Sequence, residues 1–111
     1  MHIRDLQDAA HATAKTKGWW PPHEVPPVEL LGSKIALIHS EVSEALECLR
    51  EGQLEVSRAG AKPEGLPIEL ADIVLRVLDF AGALGIDLED AVLEKLAYNR
   101  TRAYRHGGRA L

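Results

Sequence analysis

The stretch Ile38–Glu47, with the sequence IHSEVSEALE, places Glu41 and Glu44 three residues apart in an otherwise apolar helical pattern. Side chains at this spacing project from the same face of a helix, so the two carboxylates lie side by side. Taken alone, such a pair is more often solvated helix surface than part of a site. The remaining sequence has to decide between these two interpretations.

A second stretch repeats this spacing. Ile68–Ile73, with the sequence IELADI, carries Glu69 and Asp72 within an apolar helix predicted at residues 66–84. That helix leaves one narrow polar stripe, which includes both acids. One explanation is a solvent edge on which Asp72 pairs with Arg76 at the i, i+4 spacing. The other is that the stripe faces the first acid pair, so that four carboxylates converge on a divalent cation.

The composition indicates a single helical domain. The chain has 111 residues, of which 46% are hydrophobic and 27% are charged. A net charge of -4 argues against nucleic acid or an anionic membrane as a partner, and the single cysteine excludes an internal disulfide. No apolar run approaches membrane-spanning length. We therefore expect one all-α domain over residues 1–111, located in the cytoplasm.

Helical periodicity divides the chain into four helices and three other segments. The helices are predicted at residues 1–17, 33–51, 66–84 and 87–103, with Val28 as an alternative start for the second. The other segments are a Trp/Pro-rich linker at 18–32, a polar loop that starts at Gly52, and a basic tail at 104–111. Asp87 and Asp90 are typical of a helix N-cap, and no segment has the pattern of a strand.

The aliphatic residues of the second helix are expected to form its packed face. They recur at helical spacing and are Leu31, Ile35, Ile38, Val42, Ala45, Leu46 and Leu49. Glu41 and Glu44 are expected to flank this face, because an unpaired charge within it would be costly to bury.

Two further groups of residues have both a structural and a functional explanation. Trp19 and Trp20 stand among prolines that exclude a helix, and they form either a hydrophobic plug or the wall of a base-stacking pocket. Lys95, Asn99 and Arg102 lie at i, i+4 and i+7 on the fourth helix. Such a row is ordinarily solvated surface, but its donors could also grip phosphate oxygens. The basic tail either closes over an anion or stays disordered.

The ligand types narrow the chemistry of a converged acid cluster. Carboxylate oxygens without histidine or cysteine favour a hard cation, Mg²⁺ or Mn²⁺, over zinc. Such an ion can orient a nucleoside triphosphate and lower the pKa of an attacking water. The sequence lacks the motifs of P-loop, Rossmann, serine-hydrolase and zinc-protease sites.

In order and spacing, Ser40–Glu44, Glu69–Asp72 and Lys95–Asn99 resemble the motifs of MazG-type all-α nucleoside triphosphate pyrophosphohydrolases. Dimeric dUTPases, dCTP pyrophosphatases and phosphoribosyl-ATP pyrophosphohydrolases belong to the same superfamily. The resemblance implies a four-helix domain whose helices pair across a homodimer interface into a bundle. The implied assembly is a homodimer or a dimer of dimers. The resemblance also implies Mg²⁺-dependent cleavage of a nucleoside triphosphate between its α and β phosphates, yielding a monophosphate and pyrophosphate.

The resemblance assigns roles position by position. The metal carboxylates are Glu41, Glu44, Glu69 and Asp72, of which Glu41 and Glu44 are also catalytic. The substrate contacts are Lys95, Asn99, Arg102, Tyr104 and Trp20. Many members of the family have a second glutamate where this chain has Ser40. That difference motivates an alternative function, a non-catalytic helical dimerisation or regulatory module that retains the fold.

Overall fold

The structure, a computed structural model, describes residues 1–22 and 25–103. Within these ranges it contains four helices and one small β-hairpin, which confirms the prediction of a mainly all-α fold. The helices are α1 (Ile3–Thr16), α2 (Val28–Arg50), α3 (Leu66–Leu84) and α4 (Leu88–Thr101). The hairpin strands are β1 (Ser57–Ala59) and β2 (Lys62–Glu64). Tyr104 and the rest of the basic tail lie outside the described residues.

Helix α3 is the central element, because it packs against both α1 and α2. The buried positions at these contacts include small residues, such as Ala14 of α1 and Ala45 of α2. Gly82 allows α1 and α3 to approach closely, since a Cβ built on it would lie 2.7 Å from the Cβ of His11. A larger residue at this position would push the two helices apart.

The helix ends near α4 are those that the sequence predicts. Gly85 closes α3 in the left-handed conformation with φ of 66°, which glycine adopts without steric cost. The Asp87 carboxylate accepts a hydrogen bond from the backbone N–H of Asp90 at 3.1 Å and so caps α4. These two residues therefore set the short turn between α3 and α4.

Two boundaries differ from the prediction. Helix α2 begins at the alternative start Val28 and not at residue 33, because Pro27 occupies the N-cap position, where a missing N–H is tolerated. The segment after Gly52 is not wholly irregular, since Ser57 pairs with Glu64 in an antiparallel hairpin. The hairpin's short strands are largely exposed, so they lack the alternation of polar and apolar residues that would have identified them.

The packed face of α2 also differs from the prediction. The residues of α2 that are buried are Glu41, Ala45 and Cys48. Of the residues expected on the packed face, Ala45 is buried and Leu31 and Ile38 are half-buried. The others are exposed in the single chain, namely Ile35, Val42, Leu46 and Leu49. Helix α2 is thus rotated so that the stripe containing Glu41 faces α3. Its larger aliphatic side chains remain uncovered.

The hydrophobic core of the described part of the chain is small. No large side chain there is completely buried, and the buried apolar residues include Ala14, Cys48 and Leu78. None of the described helices combines the length and apolar character needed to cross a membrane.

Candidate metal and substrate site

The two acid pairs meet between α2 and α3. Carboxylate oxygens of Glu41, Glu69 and Asp72 all lie within 4.8 Å of one another. Glu41 interacts with Asp72, and Glu44 interacts with Glu69. The two helices therefore run antiparallel at this contact. This antiparallel pairing brings both i, i+3 pairs to the same level.

Burial sets Glu41 apart from the other acids. Only 7% of this residue is exposed. Its burial, together with a hydrogen bond to Asp72 and that residue's negative charge, raises the pKa of Glu41 to about 7. In the described part of the chain, its Oε2 atom is buried without a hydrogen-bond partner. A buried oxygen of this kind is costly unless a proton or a cation satisfies it.

The second pair forms the outer part of the cluster. Burial first, and then the charge of Glu44, raise the pKa of Glu69. Glu44 is exposed, while Glu69 is partly buried. The pKa of the buried thiol of Cys48 is also raised, by its burial and by the charge of Glu69. The negative potential of the cluster therefore extends along the contact between α2 and α3.

Arg76 contacts acids of both helices, and the sequence pattern indicated no functional role for it. Its Nη2 atom lies 3.2 Å from Oε1 of Glu41, and its Nε atom lies 3.5 Å from Oδ2 of Asp72. The i, i+4 pair expected for a simple solvent edge is therefore present. However, the guanidinium also reaches across to α2, and its position one turn after Asp72 was the available clue.

The donor set fits a hard divalent cation. The carboxylates provide oxygen ligands on two helices, which is the ligand type that Mg²⁺ and Mn²⁺ prefer. The partnerless Oε2 of Glu41 and the mutual repulsion of Glu44 and Glu69 are both features that a cation would relieve. Glu41, Glu69 and Asp72 are the residues able to hold it, and Glu44 lies at the edge of the group.

A cavity of about 650 Å³ adjoins the cluster. Small and aliphatic residues of α1, α2 and α3 form much of its lining. Its polar and aromatic lining residues are Thr13, Trp19, Trp20, Lys34, Asp72, Arg76, Asp79 and Phe80. Asp72 belongs to the acid cluster, Arg76 contacts that cluster, and both residues line the cavity. A molecule in the cavity would therefore lie next to a cation held by the acids.

The two tryptophans occupy different environments. Trp20 is only 8% exposed, and its indole nitrogen donates to Oδ1 of Asp79 at 2.9 Å. Trp19 is 55% exposed, and its backbone carbonyl accepts a hydrogen bond from Nζ of Lys34 at 2.8 Å. Trp20 is therefore mainly a buried plug that reaches the cavity, and Trp19 presents most of the accessible aromatic surface.

The predicted donors of α4 are not part of this cavity. Lys95 and Asn99 are exposed on a helix whose main contacts are with α1. The Nζ atom of Lys95 lies 4.9 Å from the ring centre of Tyr98, and the Arg102 guanidinium lies 5.9 Å from it. Within one chain, the structure therefore does not bring these donors to the acids, because α4 does not pack extensively on α2 or α3. Their role as phosphate contacts stays a prediction.

Helix α4 is tied to α1 by ion pairs. One guanidinium nitrogen of Arg4 lies 2.9 Å from Asp87, and another lies 3.4 Å from Glu89. These groups are at the start of α4, about two turns before Lys95 and about three turns before Asn99. The distal half of α4 therefore projects from the body of the single chain.

Comparison with known proteins provides one partial match. The chain is similar to a dATP/dGTP diphosphohydrolase of Cyanophage S-2L, with 45% identity over 38 residues. The match covers 34% of this chain and 36% of that protein, so it spans about a third of the relative's length. No family model and no solved structure matches the chain.

Proposed function

We propose that this protein is a nucleotide pyrophosphohydrolase that uses Mg²⁺, or Mn²⁺ as a substitute, to cleave an NTP or dNTP between its α and β phosphates. The products are the nucleoside monophosphate and pyrophosphate. The observation that carries the proposal is the meeting of Glu41, Glu69 and Asp72 beside a cavity large enough for a nucleoside. The MazG-type resemblance and the partial match to a diphosphohydrolase support it.

The four acids would divide the work according to their burial. Glu41, Glu69 and Asp72 would hold the cation, which neutralises phosphate charge and makes a bound water more acidic. Glu44 is the exposed member of the cluster, and we assign its carboxylate as the acceptor of the proton from the attacking water. Glu41 would act through its fixed position, because its burial between α2 and α3 leaves it little freedom to move.

The base would lie in the cavity, against the exposed ring of Trp19. A planar base stacks on an aromatic face without requiring a particular pattern of donors and acceptors. The relative from Cyanophage S-2L is named for both dATP and dGTP, two purines with different hydrogen-bonding edges. We therefore propose deoxypurine triphosphates as the first substrates to test. Arg76 would reach their phosphates from the end of the cavity.

We further propose that the active form is a homodimer, or a dimer of dimers. Exposed aliphatic residues occur on α2, α3 and α4 of the single chain and include Ile35, Val42, Leu46, Leu70, Val74 and Leu93. Uncovered apolar surface of this extent is typical of an oligomer interface. A second copy packed on it would also offer a route by which Lys95 and Asn99 of α4 reach phosphates bound to the other copy.

The decisive experiment is a panel of NTPs and dNTPs incubated with the protein and Mg²⁺, in which pyrophosphate, orthophosphate and nucleoside monophosphate are quantified separately. We expect pyrophosphate and monophosphate in equal amounts, with no product in the presence of a chelator. Orthophosphate as the first product would overturn the proposal. The Glu44→Gln variant should be inactive, whereas Glu47→Gln on the exposed side of α2 should behave like the unmodified protein.

A non-catalytic helical module remains the second candidate function. Arg76 bridges Glu41 and Asp72, and this arrangement neutralises part of the cluster without a cation. Titration of the protein with Mn²⁺, followed by electron paramagnetic resonance, separates the two candidates. A pyrophosphohydrolase should bind Mn²⁺ in a manner that requires Asp72, whereas a structural module should show no such binding.

A further inference from the structure

Asp79 is at the centre of a polar network that the proposed chemistry does not use. Both of its carboxylate oxygens accept from the indole nitrogen of Trp20, at 2.9 Å and 3.0 Å. The Oδ1 atom also accepts from Nδ1 of His11 at 2.9 Å. The His11 and Trp20 rings meet edge to face, with their centres 5.8 Å apart. The network therefore joins α1, α3 and the segment after α1.

The same segment is held from its other side by Lys34 of α2. Its Nζ atom lies 4.7 Å from the ring centre of Trp20 and donates to the backbone carbonyl of Trp19. Trp20 is thus bound at its edge by Asp79 and covered on a face by a cation. These contacts fix the backbone that carries Trp19, although prolines on the following positions provide no N–H donors to help.

We infer that Asp79 and His11 are positioning residues: they anchor Trp20 so that Trp19 is held as a stacking surface for the planar ring of a ligand in the cavity. The indole N–H of Trp20 is engaged by Asp79, so it is not available to select a base by hydrogen bonding. Selection between bases that stack on Trp19 would then depend on the size of the base ring and on its stacking energy. This inference rests on the proposed function for the identity of the ligand, but the anchor itself does not depend on it.

The anchor can be tested without catalysis. The sequence contains two tryptophans, so Trp19→Phe leaves Trp20 as the single fluorescent indole. We expect acrylamide to quench Trp20 weakly in this variant and strongly after Asp79→Ala is added. The upper reference is the quenching of Trp19 measured in Trp20→Phe. Retention of weak quenching in the Asp79→Ala background, with the helical circular dichroism intact, would overturn the anchor.

The positioning role is tested by kinetics on the best nucleotide of the substrate panel. We expect Asp79→Ala to raise KM about tenfold and to change kcat by less than about twofold, because the acid cluster is unaltered. Asp79→Asn should recover part of the loss, since its amide oxygen still accepts from Trp20. Asp8→Ala is the matched control, because Asp8 is an exposed aspartate of α1 outside the cavity lining.

A double-mutant cycle shows whether Asp79 acts through Trp20. Trp20→Phe keeps an aromatic ring but removes the N–H, so the double variant with Asp79→Ala should have a KM no higher than the poorer single variant. Fully additive effects, or a loss in kcat equal to the loss in kcat/KM, would refute the positioning role. If no nucleotide is turned over, the proposed function fails, and the quenching experiment still decides the anchor.

Discussion

The contact between α2 and α3 differs sharply from the attachment of α4. Between α2 and α3, the buried Glu41 meets acids of the facing helix. Helix α4, by contrast, has no buried residue and is tied to α1 by the ion pairs of Arg4. Two antiparallel helices can complete an acid cluster inside one chain. Lys95 and Asn99 lie on α4, which packs little against the rest of the chain. They would reach the acids only through contact with a second copy of the protein.

Neutralisation of one acid at the contact between α2 and α3 is expected to have the largest effect on activity. Glu41→Gln or Asp72→Asn should lower kcat/KM for pyrophosphate release by roughly 100-fold or more, because each replaces a charged cation ligand with a neutral amide beside the reacting phosphates. Glu47→Gln serves as the control on the exposed side of α2. Near-normal activity in Asp72→Asn would show that the active site is not at the contact between α2 and α3.

The donors of α4 test whether a partner completes the site. Lys95→Ala and Asn99→Ala should each lower kcat/KM roughly tenfold, the usual scale for a lost hydrogen bond to a charged group. A mixture of Glu41→Gln and Lys95→Ala subunits, refolded together, should recover activity if α4 of one copy serves the acids of the other. If the mixture is no more active than the separate variants, α4 does not serve the site across an interface.

A charge placed on the exposed aliphatic face of α2 should disrupt the proposed dimer. Leu46→Glu is expected to reduce the mass measured by light scattering to that of one chain, and to lower Tm by roughly 10 °C at equal protein concentration. Ser43→Glu places the same charge on an exposed polar position of α2 and should change neither quantity. Leu46 is exposed in the single chain, so an unaltered mass and Tm would mean that nothing covers it.

The smallest expected effect is the pH dependence of stability without a divalent cation. In the folded protein, burial and Asp72 raise the pKa of Glu41 from 4.5 to about 7. The folded state then binds a proton that the unfolded chain has released. Its stabilising contribution is complete below the unfolded pKa and is lost as pH rises through the folded pKa.

Thermal unfolding between about pH 5 and pH 8 measures this loss, since the range spans the ordinary and the raised pKa of a glutamate. Tm should decline across the range in a chelator, and Glu41→Gln should flatten the decline. Addition of Mg²⁺ at the upper end should restore Tm, because a bound cation replaces the lost proton. An equally steep decline in Glu41→Gln would assign the pH dependence to other groups.

The helices and the pairing of two acids on one face of each helix could be predicted, because they follow from local rules. The i, i+3 spacing of Glu69 and Asp72 places them on one face of α3 wherever that helix packs. The stop at Gly85 and the cap at Asp87 depend only on neighbouring backbone. The exposed hairpin after Gly52 was missed, because exposed strands show no alternation of polar and apolar residues.

The rotation of α2 could not be predicted from its sequence. Its aliphatic stripe has the stronger hydrophobic pattern, yet the stripe with Glu41 and Cys48 faces α3 within the chain. Periodicity identifies which residues share a face, but it does not say whether that face meets another element of the same chain or a different surface. The same ambiguity applies to the donors of α4.

The sequence by itself determined the helical architecture, the pairing of acids by spacing, and the hard-cation character of their oxygens, since these depend on local geometry and on functional groups. Only the tertiary structure decided that Glu41 is buried, that Arg76 bridges to it, and that Asp79 anchors Trp20. Burial and long-range contacts depend on how helices are rotated and packed. That packing is a property of the whole chain, which no single stretch of residues specifies.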